Sequence, residues 1–411
     1  MKKYERKVDE LSLRASIGRT GNDAISPYYS QPAMSSSSSG YLFDGGTPVA
    51  YYPGRIENPD LSWETTTTAN AALKGAFFAN RLVAELEVYS SRTTDLLLSV
   101  ATGKQTGYAS RYANLGATSN NGIELSVNTR NIVKKNFAWD TSFTISHNDQ
   151  MVLDIGSEEY VQTYGSPAVG GNSYMICGYR KGYPLNALWG FRYAGVWHNA
   201  EEVERNTHTH AMAGLTTDKS PGMPRYYDIN HDGILNLDDL CYLGTTDPVI
   251  YGGLGNNFRW KNFKLNVFFS YSLGGKIYNY SEFYMSGGQY TNQFRYMVNA
   301  WHAERNPDSD LPRAGFYGVT APSDFLVHDA SYLRLQDLSL SYTLPLSGKL
   351  KKLRLKDATF TLSGNNVLLW KYYNGFDPDV SSQGTSSTVR RLDLGAYPKP
   401  RRVTFTVQIR Y

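Results

Sequence analysis

Arg402-Val-Thr-Phe-Thr-Val-Gln-Ile-Arg-Tyr411, the last ten residues of the sequence, alternates without a fault. Val403, Phe405, Val407, Ile409 and Tyr411 fall on one side of an extended chain. Arg402, Thr404, Thr406, Gln408 and Arg410 fall on the other. A period of two means a β-strand with one apolar and one polar face. A strand in a soluble sandwich can alternate in the same way, so the fold is decided by how often the pattern recurs and by what joins the repeats.

Working back from this strand, about ten segments of the same kind can be read. The clearest apolar faces are Leu11, Leu13, Ala15, Ile17; Leu82, Ala84, Leu86, Val88; and Ile123, Leu125, Val127. Phe137, Trp139, Phe143 and Ile145 follow, then Phe263, Leu265, Val267, Phe269 and Tyr271. Leu338, Leu340, Tyr342 and Leu344 form another, and Phe360 and Leu362 a last short one before residue 402. The opposite faces carry Arg14, Glu85, Glu87, Glu124, Asn128, Arg130, Asp140, Lys264 and Asn266. Between Leu335 and Leu338 the parity slips by one, which predicts a β-bulge near Gln336-Asp337.

The connections alternate between short and long. Short ones are expected at Ala79-Asn80, Val133 to Asn136, Lys261-Asn262 and Leu346 to Lys352. Long ones are expected over 21–63, 98–117, 151–248, 276–330 and 371–397. Compact soluble domains seldom carry such long connections, whereas transmembrane β-barrels join strands of about ten residues by tight turns on one rim and long loops on the other. The predicted fold class is therefore all-β: an antiparallel meander forming part of a large transmembrane β-barrel, with short periplasmic turns and long extracellular loops. A soluble sandwich or solenoid is the alternative, and no repeat of 20–50 residues supports the solenoid.

Composition agrees and narrows function. Of 411 residues, 14% are aromatic, including 32 Tyr, and only 19% are charged. The net charge of +4 is small and dispersed and argues neither for nor against a nucleic-acid partner; the basic run Lys349 to Lys356 reads as a solvated turn, and no nucleic-acid partner is expected. No apolar run reaches the roughly 18 residues of a membrane-spanning helix. Met1-Lys-Lys-Tyr-Glu-Arg-Lys7 has no apolar stretch behind its charges and does not read as a secretion signal. Cys177 and Cys241 permit one disulfide or two free thiols.

Several blocks, taken in order, resemble the C-terminal barrel portion of the SusC/RagA family of TonB-dependent outer-membrane transporters. They are Leu13-Arg-Ala-Ser-Ile-Gly-Arg-Thr-Gly-Asn22, Glu57-Asn-Pro-Asp-Leu-Ser-Trp-Glu-Thr-Thr66, Asn121-Gly-Ile-Glu-Leu-Ser-Val-Asn128 and Gly182-Tyr-Pro-Leu-Asn-Ala-Leu-Trp-Gly190. Asp228-Ile-Asn-His-Asp-Gly233, Trp301 to Arg313 and Tyr332-Leu-Arg-Leu335 follow. Asn365-Asn366, Gly375-Phe-Asp-Pro378 and Tyr397-Pro-Lys-Pro-Arg401 complete the series.

The resemblance implies location in the outer membrane of a Gram-negative bacterium and uptake of a glycan or peptide energised through TonB. It also implies a SusD-like surface lipoprotein as partner, docked on loops 151–248 and 276–330, and outer-membrane lipid around the wall. No signal peptide, TonB-contacting segment or plug is visible. Plugged barrels of this size have about 22 strands, so residues 1–411 are expected to be the C-terminal half of a longer barrel, with a small standalone barrel as the rival. Two other functions stay open: a binding or structural outer-membrane protein that lost transport, and a secreted calcium-stabilised β enzyme acting on polysaccharide.

One segment has metal chemistry. Asp228-Ile-Asn-His-Asp-Gly-Ile-Leu-Asn-Leu-Asp-Asp239 follows the calcium-loop spacing. Asp228, Asn230 and Asp232 would supply oxygens, and Gly233 the sharp turn. The Ile234 carbonyl, Asn236 and Asp239 would complete a Ca²⁺ shell. Asp239 stands where the bidentate Glu is usual, one methylene short, so weak affinity or competition from Mg²⁺ is expected. A polar turn that binds nothing is the alternative.

His208 and His210 could face one way on a strand, but no third zinc ligand lies near. The pairs Glu158-Glu159, Glu201-Glu202 and Asp238-Asp239 read as surface charge rather than acid/base partners. With no G-x-S-x-G, P-loop or H-E-x-x-H in the sequence, no enzyme activity is expected. The loop aromatics Tyr174, Tyr179, Tyr183, Trp189, Tyr284, Tyr290, Tyr296, Tyr372 and Tyr373 could stack on sugars or order the loops against one another.

Overall fold

The computed structural model describes the chain except for residues 1–6, 24–25, 38–48, 103, 109, 166–173, 207–208, 211–218, 287–290, 316–320, 346–355 and 385–388. Ten long strands form one sheet in chain order. They are β1 (Val8–Asn22), β2 (Glu64–Phe77), β3 (Leu82–Thr94), β4 (Ala117–Val133) and β5 (Phe137–Asp154). The second half is β6 (Ile250–Trp260), β7 (Phe263–Leu273), β8 (Tyr332–Pro345), β9 (Asp357–Lys371) and β10 (Arg402–Arg410). Each pairs antiparallel with the next, which is the expected meander. The two α-helices among the described residues, Ala200–Arg205 and Tyr280–Met285, are short and lie in connections.

The short rim is built by backbone geometry. Phe78, Ala79 and Asn80 all take positive φ between β2 and β3, and Lys261 does so at +52° in the connection between β6 and β7. Lys134 N–H donates to the Phe137 carbonyl at 2.8 Å to tie β4 to β5. The fourth turn, with most of the basic run, falls within 346–355, outside the described residues.

The bulge is where the parity slip placed it. Phe268 faces Asp337 while Phe269 faces Leu335, so Gln336 is the extra residue. Two strands had no apolar alternation to announce them. β2 opens on the threonine run Thr65 to Thr68, and β6 contains Gly252, Gly253 and Gly255. At Gly252 a Cβ would stand 2.0 Å from the Thr144 carbonyl oxygen on β5, so glycine is required there by close approach of the neighbouring backbone.

The two faces of the sheet differ chemically. Leu13 is 77% exposed, Ile17 79% and Val403 77%, all on the apolar face. Aromatic rings pair along this face near the short rim: Trp139 with Phe258 at 5.6 Å, Trp260 with Phe263 at 5.9 Å, and Phe263 with Tyr342 at 4.7 Å. A second set, Phe143 with Tyr271 and Phe269 with Trp370, is displaced toward the long connections.

The polar face is laced by side-chain hydrogen bonds. Arg14 Nη2 donates to Glu85 Oε1 at 2.8 Å, Tyr89 Oη to Asn148 Oδ1 at 2.7 Å, and Asn266 Nδ2 to Ser339 Oγ at 2.9 Å. Such ladders match the inner wall of a barrel, where polar groups face water.

The long connections carry their own architecture. A four-stranded sheet joins Val161–Gly165, Met175–Tyr179, Ala187–Gly190 and Cys241–Thr245. A three-stranded one brings Lys276–Asn279 between Val327–Asp329 and Leu392–Asp393, so two different connections share a sheet. The buried apolar clusters lie here, around Tyr174, Trp189, Phe191 and Leu240, and around Ile176, Leu188, Tyr278 and Leu326. Mutual hydrogen bonds fasten this cap to the sheet: Val152 N–H donates to the Tyr183 carbonyl at 2.9 Å, and Gly182 N–H to the Val152 carbonyl at 2.8 Å.

Candidate functional site

The calcium-spaced segment forms a compact turn within the 155–249 connection. His231 N–H donates to Asp228 Oδ1 at 2.7 Å and Gly233 N–H to Asp228 Oδ2 at 2.9 Å. Asp239 is fully buried and accepts from Ile229 N–H at 2.7 Å and Asn236 N–H at 2.9 Å. Asn230 accepts from Asp232 N–H, Asp232 from Ile234 N–H, and Asn236 from Asp238 N–H. Gly233 sits at φ +80° with open space where a Cβ would be, so conformation rather than crowding calls for glycine.

Ile234–Leu235 pairs in parallel with Thr209–His210, which ties the turn to the chain around the histidine pair. His208 itself lies outside the described residues. Among the described residues, no three His, Cys, Asp or Glu side chains gather as a metal-holding group. The carboxylates of Asp228, Asp232 and Asp239 each accept from backbone N–H groups of the turn itself.

The other candidates resolve into structural roles. Glu159 meets Arg180 at 2.5 Å, and Glu201 meets Arg205 one helical turn on at 2.8 Å. Glu202 accepts the His198 backbone N–H at 2.9 Å. Cys177 and Cys241 are both free thiols, and burial pushes the Cys177 thiol up to about 12. Of the loop aromatics, Tyr174, Trp189 and Tyr373 are buried and order the cap, with Tyr183 edge-on to Trp189 at 4.8 Å. Tyr284 and Tyr372 are exposed, and Tyr290 lies outside the described residues.

Two charged constellations were not announced as such by the sequence, although Arg334, Asn366 and Asp377 of the first each lie in one of the family-like blocks. Arg334 of β8 and Asp377 of the last connection form an ion pair at 2.6 Å, with side chains only 2% exposed. Arg334 Nη1 also donates to Asn366 Oδ1 at 2.5 Å, and Asn366 takes φ +54° to reach it. The second is Glu282, buried on the helix Tyr280–Met285. It accepts from Tyr296 Oη at 3.2 Å and has His328 Nε2 at 2.5 Å. These residues lie far apart in sequence, and periodicity says nothing about such meetings.

A sheet with an apolar, aromatic-edged face, a hydrogen-bonded polar face, tight turns on one rim and folded loops on the other has the build of a transmembrane β-barrel wall. A family model described as TonB dependent receptor-like, beta-barrel matches residues 6–367, and the chain belongs to that family. It is 33% identical over 410 residues to TonB-dependent receptor P26 of Formosa agariphila, covering 98% of this chain and 40% of that protein. To SusC of Bacteroides thetaiotaomicron it is 26% identical over 409 residues, covering 97% and 37%.

Among solved structures, the RagAB peptide importer in its closed-closed state superposes with a TM-score of 0.75 at 25% identity, over 98% of this chain and 41% of that one. The chain is thus a barrel portion of the SusC/RagA type, spanning about two fifths of the length of these relatives. The relatives are receptors, not enzymes, which sets aside the secreted polysaccharide-active enzyme.

Proposed function

We propose that this chain forms the C-terminal wall and outer loops of a TonB-dependent nutrient transporter in the outer membrane of a Gram-negative bacterium. The observation that carries the reading is the inside-out distribution of side chains along eight of the ten consecutive strands. In that membrane the exposed Leu, Ile and Val face contacts lipid and the Arg14–Glu85 ladder faces a lumen. β1 and β10 each have one strand neighbour in the sheet. In hydrocarbon an open strand edge is costly, so both edges pair with further strands in the working barrel.

The transporter reading includes an oligosaccharide or peptide substrate, energy delivered through TonB, and a SusD-like lipoprotein held by the 151–248 and 276–330 loops. Uptake of labelled oligosaccharide or peptide by cells carrying the native locus should fall to background when TonB is deleted. Uptake that is unchanged without TonB defeats the reading, and binding without uptake at any TonB level favours a non-transporting receptor. Shortening the 276–330 loop should weaken co-purification of the lipoprotein.

Ca²⁺ is proposed for the 228–239 turn, held by Asp228, Asn230, Asp232, the Ile234 carbonyl, Asn236 and Asp239. Supporting it are the ligand spacing and the left-handed Gly233 at the position of the sharp turn. Its role would be to stiffen the loop.

A further inference from the structure

The apolar band of the wall ends abruptly toward the long connections. On β1 it runs Leu11, Leu13, Ala15, Ile17 and stops at Arg19; on β3 it runs Leu82, Ala84, Leu86, Val88 and gives way to Ser90 and Arg92. The register sets the two arginines at one level, since Arg19 faces Thr67 on β2 and Thr67 faces Arg92. Residues directly opposite one another share a face of the sheet. Arg19, Thr67 and Arg92 therefore stand in one row on the apolar face, and all three are exposed. Two strand spacings, roughly 9–10 Å, separate the arginines.

Neither arginine has a counter-charge in the protein. Arg92 forms no ion pair or side-chain hydrogen bond among the described residues. Arg19 donates only to Thr65 Oγ1, at a long 3.4 Å, and a guanidinium carries five N–H donors. The carboxylates of β2 to β4 are on the other face: Glu64, Glu85, Glu87 and Glu124 have the opposite parity, and Asn22, Arg14 and Asn70 meet the first three there. The rows on either side of the arginines are Ile17, Ala69, Ser90 and Gly21, Thr65, Thr94, without an acidic residue. A tryptophan marks the depth. Trp63 is 65% exposed and lies against Gly21, where a Cβ would stand 2.7 Å from its ring. It covers the same face two residues beyond Arg19. Tryptophan at the border of an apolar band belongs to the membrane–water interface. The arginine row lies between the band and Trp63, at headgroup depth on the side of the long connections.

We propose that Arg19, Thr67 and Arg92 form a clamp for a phosphate group of an outer-leaflet lipid. The planar fork of a guanidinium offers two parallel N–H donors that match phosphate oxygens. Two such forks, on long flexible stems, close from either side over Thr67, whose hydroxyl is a third donor. The stems lie along the apolar band while the charged ends stay at the interface. Ile17 and Ala69, directly below the row, receive the acyl chains. A free anion offers the same charge but leaves that apolar surface unused. An acidic protein segment fits less well, because the row is bordered on one side by residues that lie in hydrocarbon.

The clamp rests on the outer-membrane reading of the wall, not on transport. The full-length protein, purified from outer membranes and washed free of lipid, would be titrated in detergent micelles carrying diphosphoryl lipid A. Dephosphorylated lipid A and inorganic phosphate serve as the tail-only and charge-only probes. The natural protein should bind diphosphoryl lipid A well and the other two weakly or not at all. Arg19→Gln with Arg92→Gln should weaken binding about thirtyfold, and either change alone about fivefold, as expected for arginines near a charged lipid surface. Arg92→Lys keeps the charge and loses the fork, so its loss should be smaller than that of Arg92→Gln. Arg205→Gln, on an exposed cap helix, should leave binding unchanged. Heat-modifiable migration of each variant verifies that it is folded.

Three results overturn the clamp: no binding of diphosphoryl lipid A, binding unmoved by the double change, or equally tight binding of either single-feature probe. A heat-modifiable barrel in the outer membrane without this lipid preference sinks the clamp and spares the wall. Lipid binding through both arginines, with TonB-independent uptake, spares the clamp and sinks the transporter.

Discussion

The wall and the cap obey opposite rules on one chain. In the wall, Leu13, Ile17 and Val403 point outward and are largely bare, while Arg14, Glu85, Asn148 and Asn266 bond one another on the other face. In the cap, Trp189, Phe191, Ile176 and Leu326 are sealed from solvent. The cap is built as water-soluble proteins are, by burying apolar area. The wall inverts that rule, as a barrel wall in lipid does, where apolar side chains face outward without penalty and the strands between the two edges pair their backbone N–H groups within the sheet. Apolar residues have opposite meanings in the two regions, and mutations should separate them.

The largest expected effect is in the cap. Trp189 is 1% exposed, donates Nε1–H to the Gly178 carbonyl at 2.9 Å and packs under Tyr183 and Tyr242. Trp189→Ala should cost about 3–5 kcal/mol and melt the 155–249 region while the ten-strand sheet persists. Limited proteolysis of the assembled protein should then cut inside the cap alone. Simultaneous loss of heat-modifiable migration would mean that wall and cap are one cooperative unit.

The hinge between the regions comes next. Asp377→Ala leaves Arg334 as a buried, unpaired charge and should cost about 3–5 kcal/mol, at the lower end if water enters. Burial by itself raises the Asp377 carboxyl, but hydrogen bonds from Arg334 and the backbone, with the Arg334 charge, hold it below the usual carboxylate range. A depressed native value means the pair's contribution is complete above the unfolded pKa, near 3.9, and fades as pH falls through the native one. Acid unfolding of the last connection should therefore begin below about pH 4 in the natural chain, and Asp377→Ala should remove that acid transition.

A smaller effect tests the wall itself. Leu340, midway along β8, is 47% exposed on the apolar face. On a soluble protein Leu340→Arg would be nearly neutral, but at the middle of a membrane-facing strand it should cost about 2–4 kcal/mol and lower the yield of heat-modifiable barrel. Full yield would break the distinction between the regions.

The smallest effect belongs to the metal turn. Asp228→Ala with Asp232→Ala should raise hydrogen exchange over 225–245 and leave both sheets intact. Calorimetry on the natural protein should show weak Ca²⁺ binding that this pair of changes removes. No binding at millimolar Ca²⁺ leaves only a turn held by its own amide donors.

Legibility differed between the regions for a physical reason. Eight wall strands could be read because large apolar residues alternate with polar ones. β2 and β6 could be placed only by their neighbours, because Thr65–Thr68 and Gly252, Gly253 and Gly255 offer no contrast between faces. The bulge at Gln336 was legible as a slip in parity. In the cap the calcium-like spacing announced a turn, since a turn is local. The Arg334–Asp377 pair and the meeting of Glu282 with His328 and Asn374 were not legible, because those partners are tens of residues apart and meet only after the connections pack.

The sequence by itself determined the antiparallel order, the short rim and the long rim, and which residues share a face. Period two and turn chemistry are set by neighbours along the chain. Only the tertiary structure decided that the long connections fold into sheets with a core of their own. It alone brought His328 to Glu282 and set Asp377 against Arg334. Those outcomes depend on which distant surfaces come together, and on the desolvation that follows, and no spacing in the sequence encodes either.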